Sequence, residues 1–492
     1  FFYTVRMGDR SIGLATSRLD TTAGGFTFED ILNLEIPAMG ARQLATVRTR
    51  ARLGPALQLE AFDFLLESEI GEFRVRGDAR DDSTLALTLD AGAREQASAV
   101  RLDRSLTLPV ALPMRMAAAG RLDVGAEYSA RVFDPSTLSD RAVTVEVTGR
   151  DELVIPDSVA RNQRTGRWLT WSYDTIPVWV VEERYGGVRV TSWLDEDGRL
   201  VQAESPMGFV VKRVPYELAE QAWRDARATP VSAGYGAVIE NTAIAANVDL
   251  TGAEERVRRL AVRLRNVDLE GFDLEGGRQS LRGDTLVVER ESTLRADYAL
   301  PYRLEGGEAD RSRTADGARD GVDAAAPGAF FGPPGPESLA PTPLIQSDDP
   351  RIVGAAREAA AGETRPAVVA RRLTEWVYER LEKEITLSVP SAVQVLELGQ
   401  GDCNEHTVLY VALARALGLP ARTAVGLVHL NGRFYYHAWP EVWLDGWVAV
   451  DPTLGQAPAD AMHLRFLVGG LARQVELIRL IGRLDLEIVR TS

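Results

Sequence analysis

Short runs of alternating apolar and polar residues dominate the first half of the chain, and polar turn clusters such as residues 195–198 separate them. Alternation with a period of two is typical of strands that bury one face. Many short strands with frequent turn signals predict a curved sheet or half-barrel over residues 1–235, with one short helix around Tyr216–Ala226. The runs that carry this prediction are Phe2–Met7, Gln58–Leu65, Gly71–Arg76, Thr84–Leu89, Ala142–Thr148, Val178–Glu183 and Gly187–Trp193.

The middle of the chain changes pattern twice. Leu260, Val262 and Leu264 alternate with polar or small residues and predict a small β domain over residues 236–303. Residues 304–343 are rich in Gly, Ala, Asp, Arg and Pro, a composition typical of a linker or an exposed loop.

Residues 344–492 combine helical and strand patterns and predict an α+β domain. Asp348 or Asp349 is expected to cap a helix with Pro350 at its first position. A longer helix is expected over Arg365–Lys383, and a third begins near Asp402. The expected fold is therefore multidomain, with a mostly-β N-terminal part, a small middle β unit and a C-terminal α+β domain.

Composition limits the possible functions. The chain has 492 residues, enough for about three domains, and its 45% hydrophobic and 26% charged residues are ordinary for a globular protein. A net charge of −15 argues against binding nucleic acid by bulk electrostatics. One cysteine excludes an intrachain disulfide and any multi-cysteine metal site. No apolar run approaches the roughly 20 residues of a membrane span, so none is expected.

The informative segment begins at Gly401. This glycine allows a tight turn, Asp402 is a plausible N-cap, and Cys403 lies in the first turn of a helix that Gly418 ends. The free N–H groups and the positive end of the dipole at such a position favour a thiolate. We therefore expect a reactive Cys403, with its backbone N–H as a donor to an oxyanion.

Two later strands supply a base and a carboxylate. Asn431-Gly432 is a hairpin signal, and the returning strand carries His437. Asp451 follows on the next strand, and side chains share a face only when their spacing across the turn matches. A three-residue connection, Leu444–Gly446, would pair Trp443 with Trp447 and make Asp451 a diagonal neighbour of His437. We therefore predict an odd-length connection and a Cys403–His437–Asp451 set suited to nucleophilic catalysis.

Three motifs in this order resemble the bacterial transglutaminase-like superfamily over roughly Leu344–Ile488: Gly401–His406, His437–Trp443 and Trp447–Thr453. The resemblance implies a circularly permuted papain-like fold in which Cys403 is the nucleophile, His437 the general base and then acid, and Asp451 the orienting carboxylate. It implies no cofactor. The family spans crosslinking, amide hydrolysis and peptide cleavage, so the resemblance does not fix the substrate beyond a protein or peptide.

The N-terminal region is similar to the half-barrels of lipoprotein-carrier type, notably at Leu122–Asp134 and Gly187–Gly198. This resemblance implies an extracytoplasmic location, periplasmic or secreted, and a lipid or lipoprotein as a partner of the N-terminal domain. The chain starts at Phe1, so we expect a mature or trimmed form that a signal peptide or anchor could have preceded.

Other residues near the motifs have a structural and a functional interpretation. Gln400 could donate to the oxyanion, and Trp439 could line the substrate tunnel or pack within its hairpin. A metal site built from Cys403, His406 and His437 is disfavoured, because no ligand pair has a tight spacing. His406, His429 and His463 are interpreted as structural or exposed.

Two functions of different classes follow. The first is a cysteine acyl-transfer enzyme, either a protease or amidase or a transglutaminase, that acts on amide or peptide bonds through a Cys403 thioester. The alternative is a catalytically idle transglutaminase-like protein that binds or scaffolds partners in the cell envelope.

Overall fold

The computed structural model describes the chain apart from residues 39–40, 69–70, 82, 91–94, 102–106, 186–187, 206–207, 229–242, 254, 292–293, 301–331, 385–388, 390 and 481. It contains two compact units, one built mainly from residues 1–236 and one mainly from residues 237–492. The first unit is a large antiparallel sheet, and the second combines smaller sheets with most of the helices. The multidomain, mostly-β fold expected from the sequence is confirmed.

The first unit is built on a 14-stranded sheet. Its strands are β1 Phe2–Met7, β2 Arg10–Thr22, β3 Gly25–Ala38, β4 Ala41–Leu53, β5 Leu59–Ser68, β6 Gly71–Ala79, β7 Thr84–Asp90, β8 Gln96–Arg101, β9 Glu127–Asp134, β10 Ser139–Arg161, β11 Trp168–Tyr185, β12 Val188–Leu194, β13 Leu200–Glu204 and β14 Phe209–Val214. The strands lie in the order β8-β7-β6-β5-β4-β3-β2-β1-β14-β13-β12-β11-β10-β9, so β1 pairs with β14 and the edge strands are β8 and β9.

The sheet of the first unit curls strongly. The rings of Phe62 on β5 and Phe133 on β9 lie 5.7 Å apart, although ten strand spacings separate these strands in the sheet order. A flat sheet would hold them about 48 Å apart, at roughly 4.8 Å for each strand. Irregularities in the pairing of β10 with β11, near Gly149 and Ser158, increase the local twist.

Two helices accompany this sheet. Helix α2, Tyr216–Ala228, agrees with the predicted helix, and the Gln221 side chain pairs with the backbone N–H and carbonyl of Trp168. Helix α1, Leu112–Ala118, was not predicted. It is short and buries Leu112, Met114 and Met116, so it lacks the polar face from which a helical period is recognised.

The described residues of the second unit form three sheets: a five-stranded sheet in the order β15-β22-β21-β24 with β23 also paired to β22, a four-stranded sheet in the order β17-β18-β16-β25, and the parallel pair β19-β20. The strands are β15 Ile244–Ala245, β16 Arg259–Arg265, β17 Gln279–Arg282, β18 Thr285–Glu289, β19 Glu382–Lys383, β20 Gln400–Gly401, β21 Ala421–Leu430, β22 Arg433–Trp443, β23 Trp447–Ala449, β24 His463–Val468 and β25 Asp485–Thr491. The helices are α3 Pro350–Ala360, α4 Pro366–Arg380, α5 Ala392–Leu398, α6 Cys403–Ala416 and α7 Leu471–Gln474.

The predicted middle β domain does not form a sheet of its own. Its strand β16 pairs with β18 on one side and with the C-terminal strand β25 on the other, so residues far apart in sequence share one core. This pairing joins the segment to the second compact unit. The four-part domain division, 1–235, 236–303, 304–343 and 344–492, stays a prediction, because compactness alone does not define domains.

The predicted linker falls largely outside the described residues. Its described end contains a short 3-10 turn, Pro336–Ser338, and the Gly332 carbonyl accepts a hydrogen bond of 3.2 Å from the Trp447 indole. None of the helices in the described ranges has the length and apolarity needed to span a membrane.

Helix α6 is the central element of the second unit. Leu409 and Leu413 are fully buried between the neighbouring helices and the sheet. The helix ends as predicted, because Gly418 has a positive φ and the N–H of Leu419 bonds to the carbonyl of Ala414. This packing fixes the direction of the helix and therefore the position of its first residue, Cys403.

Candidate active site

A capping box fixes the start of α6. The Asp402 carboxylate accepts from the Asn404 N–H at 2.8 Å, and the Glu405 carboxylate accepts from the Asp402 N–H at 2.9 Å. A Cβ on Gly401 would lie 2.2 Å from the Cβ of Glu405, so the turn into the helix requires glycine. The predicted cap at Asp402 is confirmed.

Cys403 is partly exposed at this helix start and packs beside β22. Burial of the sulfur raises the pKa of Cys403 well above the usual range, and the negative charge of Asp402 raises it further. A hydrogen bond from the Ala438 backbone N–H lowers this pKa but does not outweigh the other two effects. The expected ionised thiol is therefore not supported. The helix start favours a thiolate, but the carboxylates that cap the helix oppose it.

The strand connections place His437 and Asp451 as predicted. Asn431 and Gly432 both have positive φ and form the two-residue turn between β21 and β22. Trp443 pairs with Trp447 across a three-residue connection, so the odd-length connection is confirmed. His437 Nε2 lies 2.7 Å from Asp451 Oδ2, the contact expected of diagonal neighbours.

The Asp451 carboxylate is fully buried and has four hydrogen-bond partners. Oδ1 accepts from the N–H groups of Thr453 and Leu454, at 2.7 and 3.1 Å. Oδ2 pairs with Nε2 of His437 and, at 2.9 Å, with Nε2 of His463. Burial alone would raise the pKa of Asp451, but the two histidines hold it well below its usual range. Asp451 is therefore ionised wherever the protein is folded near neutral pH.

His463 was missed as a site residue. Its ring is fully buried, and Nδ1 lies 2.9 Å from Asp460 Oδ1 while Nε2 faces Asp451. Burial lowers its pKa, but Asp460 and Asp451 outweigh this and raise it to about 9. In the sequence, the short spacing from Asp460 to His463 is the one signal that indicates a contact between these two residues. The contact with Asp451 arises because β24 joins the sheet beside β21.

Trp439 packs against both histidines. Its ring is stacked near His437, with centroids 6.0 Å apart, and meets His463 edge-on at 5.2 Å. The residue is only 1% exposed and therefore offers almost no surface to a substrate. The predicted substrate contact is corrected in favour of packing within the hairpin, the other interpretation of this residue.

The remaining sequence candidates lie around this centre. The backbone of Gln400 pairs with Glu382 beside the start of α6, and its role as a donor stays a prediction. His406 is buried, with Nδ1 2.7 Å from the Asp402 carbonyl, which agrees with a packing role. His429 accepts from the Leu250 N–H at 3.4 Å and lies three residues from Gly426, the strand partner of His437, on the opposite face of the sheet.

Ligand-capable atoms of His437, Asp451 and His463 lie within 4.8 Å of one another. Their distances of 2.7 and 2.9 Å are those of charge-assisted hydrogen bonds between the groups themselves. Asp460 further occupies the second nitrogen of His463. We therefore interpret the three residues as a hydrogen-bonded ionic network, and their geometry gives no reason to assign them to a metal.

A second buried ionic group lies beside this network. Glu441 accepts from Arg422 Nε at 2.8 Å through one oxygen and from Arg465 Nη1 at 2.8 Å through the other. Burial would raise its pKa, but the two guanidinium groups lower it to about 2. Arg465 also donates to the carbonyls of Asp273, Glu275 and Gly276, which ties the middle β segment to the site.

Comparison with known proteins finds a family match within this unit. Residues 354–452 match the model of the transglutaminase-like superfamily. This match confirms the resemblance expected from the motifs. The matched residues include Cys403, His437 and Asp451, whereas His463 lies beyond them. No curated protein matches the chain.

Several solved structures resemble parts of the chain. A proposed cysteine protease from Cytophaga hutchinsonii is 16% identical, with 46% of this chain and 83% of that chain covered and a TM-score of 0.27. A β-barrel-like protein from Brucella abortus is 14% identical, with 43% and 92% covered and a TM-score of 0.31. A Pseudomonas aeruginosa protein is 14% identical, with 41% and 92% covered and a TM-score of 0.25.

The buried Glu441 network gives a testable prediction for stability. Glu441→Gln leaves two buried guanidinium groups without their charge partner, so we expect a loss of about 3–5 kcal/mol in the free energy of unfolding at neutral pH. Because the folded-state pKa of Glu441 is depressed, its contribution is complete above about pH 4.5 and is lost as the pH falls toward 2. Urea unfolding across this range measures the difference.

The matched control is Glu289→Gln. The Glu289 side chain is 62% exposed and forms an ion pair with Arg259. This control is expected to change the unfolding free energy little, since exposed ion pairs contribute at most about 1 kcal/mol. Equal effects of the two substitutions, or a Glu441→Gln effect that is independent of pH below 4.5, would contradict a charge-based role for the network.

Proposed function

We propose that this chain is a cysteine acyl-transfer enzyme that acts on amide or peptide bonds, with Cys403 as nucleophile, His437 as base and then acid, and Asp451 as the group that orients His437. The observation that carries the proposal is the bond of 2.7 Å between His437 Nε2 and the buried Asp451 carboxylate. The Ala438 N–H, one residue after His437, is a hydrogen-bond donor to the Cys403 sulfur.

The reaction would follow from these contacts. Because Nε2 of His437 is engaged by Asp451, Nδ1 is the nitrogen that takes the Cys403 proton as the sulfur attacks the substrate carbonyl. The developing oxyanion would be stabilised by the Cys403 backbone N–H at the helix start, with Gln400 as a second donor. His437 then returns the proton to the leaving nitrogen, so ammonia or an amine departs and a thioester remains.

The second half-reaction releases the enzyme. Water or an amine attacks the thioester, His437 removes the proton from this nucleophile, and the proton finally returns to the sulfur. Water gives hydrolysis, and an amine gives crosslinking or transamidation. A raised pKa of Cys403 favours a thiol that is deprotonated during attack rather than a thiolate that exists before the substrate arrives.

Trapping the thioester tests the proposal. Incubation with Gln-bearing peptides or cell-wall peptides is expected to give a covalent adduct on Cys403, of mass equal to the peptide less its leaving amine, in intact-mass spectra. Cys403→Ala should form no adduct. Asp451→Asn should slow adduct formation by about 100-fold or more, because it disturbs the orientation and tautomer of His437.

The outcome that contradicts this function is adduct formation by Cys403→Ala, or the same rate for wild type and His437→Gln. His429→Gln is the matched histidine control, since His429 lies three residues from Gly426, the strand partner of His437, and therefore on the opposite face of the sheet, where its ring accepts from the Leu250 N–H. It should form the adduct at the rate of the wild type.

The pKa direction of Cys403 gives a separate prediction. A raised pKa leaves less thiolate near neutral pH, so alkylation by iodoacetamide is expected to be slower in the folded protein than in the unfolded chain and to rise continuously with pH. Rate measurement by intact mass checks this. A rate plateau near neutral pH that His437→Gln abolishes would instead indicate an ion pair of thiolate and imidazolium in the resting enzyme.

The location and partners are part of the same proposal. An extracytoplasmic setting and a protein or peptide substrate agree with the motifs, and the N-terminal sheet would contribute a partner-binding surface. Crosslinking and hydrolysis would be separated by adding a primary amine to the trapping reaction and measuring amine incorporation against release of free acid.

A second candidate function, an envelope binding protein, is favoured by a groove in the first unit. Its volume is about 830 Å³, and its lining combines apolar side chains, among them Val154, Val210, Val214 and Leu218, with the basic Arg6, Arg10 and Lys212 and the acidic Asp9 and Asp225. The apolar part of the groove would suit a lipid chain, and its three basic side chains would suit an anionic head group. Tyr173 is 65% exposed within it.

Binding of a fluorescent fatty acid tests this candidate. Leu218→Arg places a charge in the groove and is expected to weaken binding by at least about tenfold, because burying that charge opposes an apolar ligand. Leu169→Arg is the control, since Leu169 is exposed and does not line the groove. Equal binding by the two variants would exclude the groove as the lipid site.

A further inference from the structure

The second histidine of the site, His463, has no acceptor nitrogen left over. Its two ring nitrogens each lie 2.9 Å from a carboxylate oxygen, Nε2 from Asp451 and Nδ1 from Asp460. Ionised carboxylates only accept hydrogen bonds, so both nitrogens must donate. The ring is therefore an imidazolium with a fixed orientation.

The partner carboxylate Asp460 is itself held firmly. Its Oδ1 accepts from the Met462 N–H at 2.8 Å and its Oδ2 from the Gln456 side chain at 3.0 Å. Arg278 donates to the backbone carbonyls of Ala459, at 3.0 Å, and of Asp460. Burial would raise the pKa of Asp460, but His463 lowers it to about 2, so it stays ionised.

A close approach of two strands brings His463 to the site. A Cβ on Gly426 would lie 1.9 Å from the Leu464 carbonyl oxygen, so only glycine lets β24 lie this near to β21. Gly426 is also the strand partner of His437 on the other side of β21. The two histidines therefore approach the same carboxylate from strands on either side of a residue without a side chain.

We propose that His463 is a positioning residue of this site: its charged ring, clamped between Asp451 and Asp460, holds the Asp451 carboxylate in the orientation that receives His437. This inference rests on the proposed function for its catalytic consequence, but not for the structural one. His463 does not contact the sulfur in this scheme and acts only through Asp451.

A fixed positive charge also lies close to His437. The ring centroids of the two histidines lie 5.9 Å apart, and both rings contact the same Asp451 oxygen. Loss of His463 would leave His437 as the one imidazole partner of this carboxylate among the contacts described above. The other titratable and charged groups that face this pair are Cys403 and His406 on α6, Asp460, and Arg278.

Two amide substitutions separate the parts of this role. In His463→Gln the side-chain nitrogen can replace Nε2 and still donate to Asp451, whereas in His463→Asn it replaces Nδ1 and can reach only Asp460. Both remove the charge. We expect adduct formation at Cys403 to fall less than about tenfold for His463→Gln and about 10- to 100-fold for His463→Asn.

A nuclear magnetic resonance titration of ¹⁵N-histidine-labelled protein tests the inference without a substrate. The chain has four histidines, so substitution of each assigns the ring signals. In the wild type the His463 ring is expected to keep both protons well above the ordinary histidine midpoint of about 6.5.

The outcomes separate this inference from the proposed function. A His463 ring that loses a proton near pH 6.5 in the wild type overturns the positioning role. Equal adduct formation by the Gln and Asn variants also overturns it. Expected titrations in a wild type that forms no adduct with Gln-bearing peptides support the ionic clamp and count against the acyl-transfer function.

Discussion

The buried carboxylate of Asp451 is the group on which the geometry of the site depends. An ionised carboxylate without water is strongly disfavoured unless its oxygens are hydrogen-bonded and its charge is neutralised. Two backbone N–H groups bind one oxygen and two imidazole rings bind the other. These donors come from β22, from the turn after β23 and from β24, so compensating one charge fixes three segments relative to each other.

The start of α6 shows a conflict between structure and reactivity. The capping box needs the negative charges of Asp402 and Glu405 within one turn of the helix start, where they bind backbone N–H groups. Burial is the main cause of the raised pKa of the Cys403 thiol, and the same charges beside the sulfur raise it further. The capped helix start thus gives the sulfur a precise position and, together with burial, a low tendency to ionise. In the proposed reaction His437 would therefore have to act as a base, because the helix start alone does not supply a thiolate.

Sequence patterns predicted the parts of the site that depend on local geometry. The pairing of Trp443 with Trp447, and hence the reach of His437 to Asp451, followed from the parity of a single turn. The cap at Asp402 and the helix end at Gly418 followed from residue types at fixed offsets.

His463 could not be found in this way, because its contact requires β24 to pair with β21 through an irregular register near Gly426. The helix pattern predicts an ionised Cys403, but it carries no information on the burial that raises the pKa of the thiol. Local patterns also do not reveal the partner of strand β16 in the middle β segment, because β16 pairs with β25 at the end of the sequence.

The small residues of β21 explain how distant strands share one site. Ala424 pairs with Trp439 and Gly426 pairs with His437, so two large side chains of β22 lie beside residues with little or no side chain. Side chains from β24, on the other side of β21, can therefore extend across it and meet those of β22. His463 reaches Asp451 in this way, and Arg465 reaches Glu441 two residues further along the same face. A side chain at position 426 would clash with the Leu464 carbonyl and so displace β24, the strand that carries both His463 and Arg465. The spacing of small residues on the central strand is thus as necessary to the site as the charged residues are.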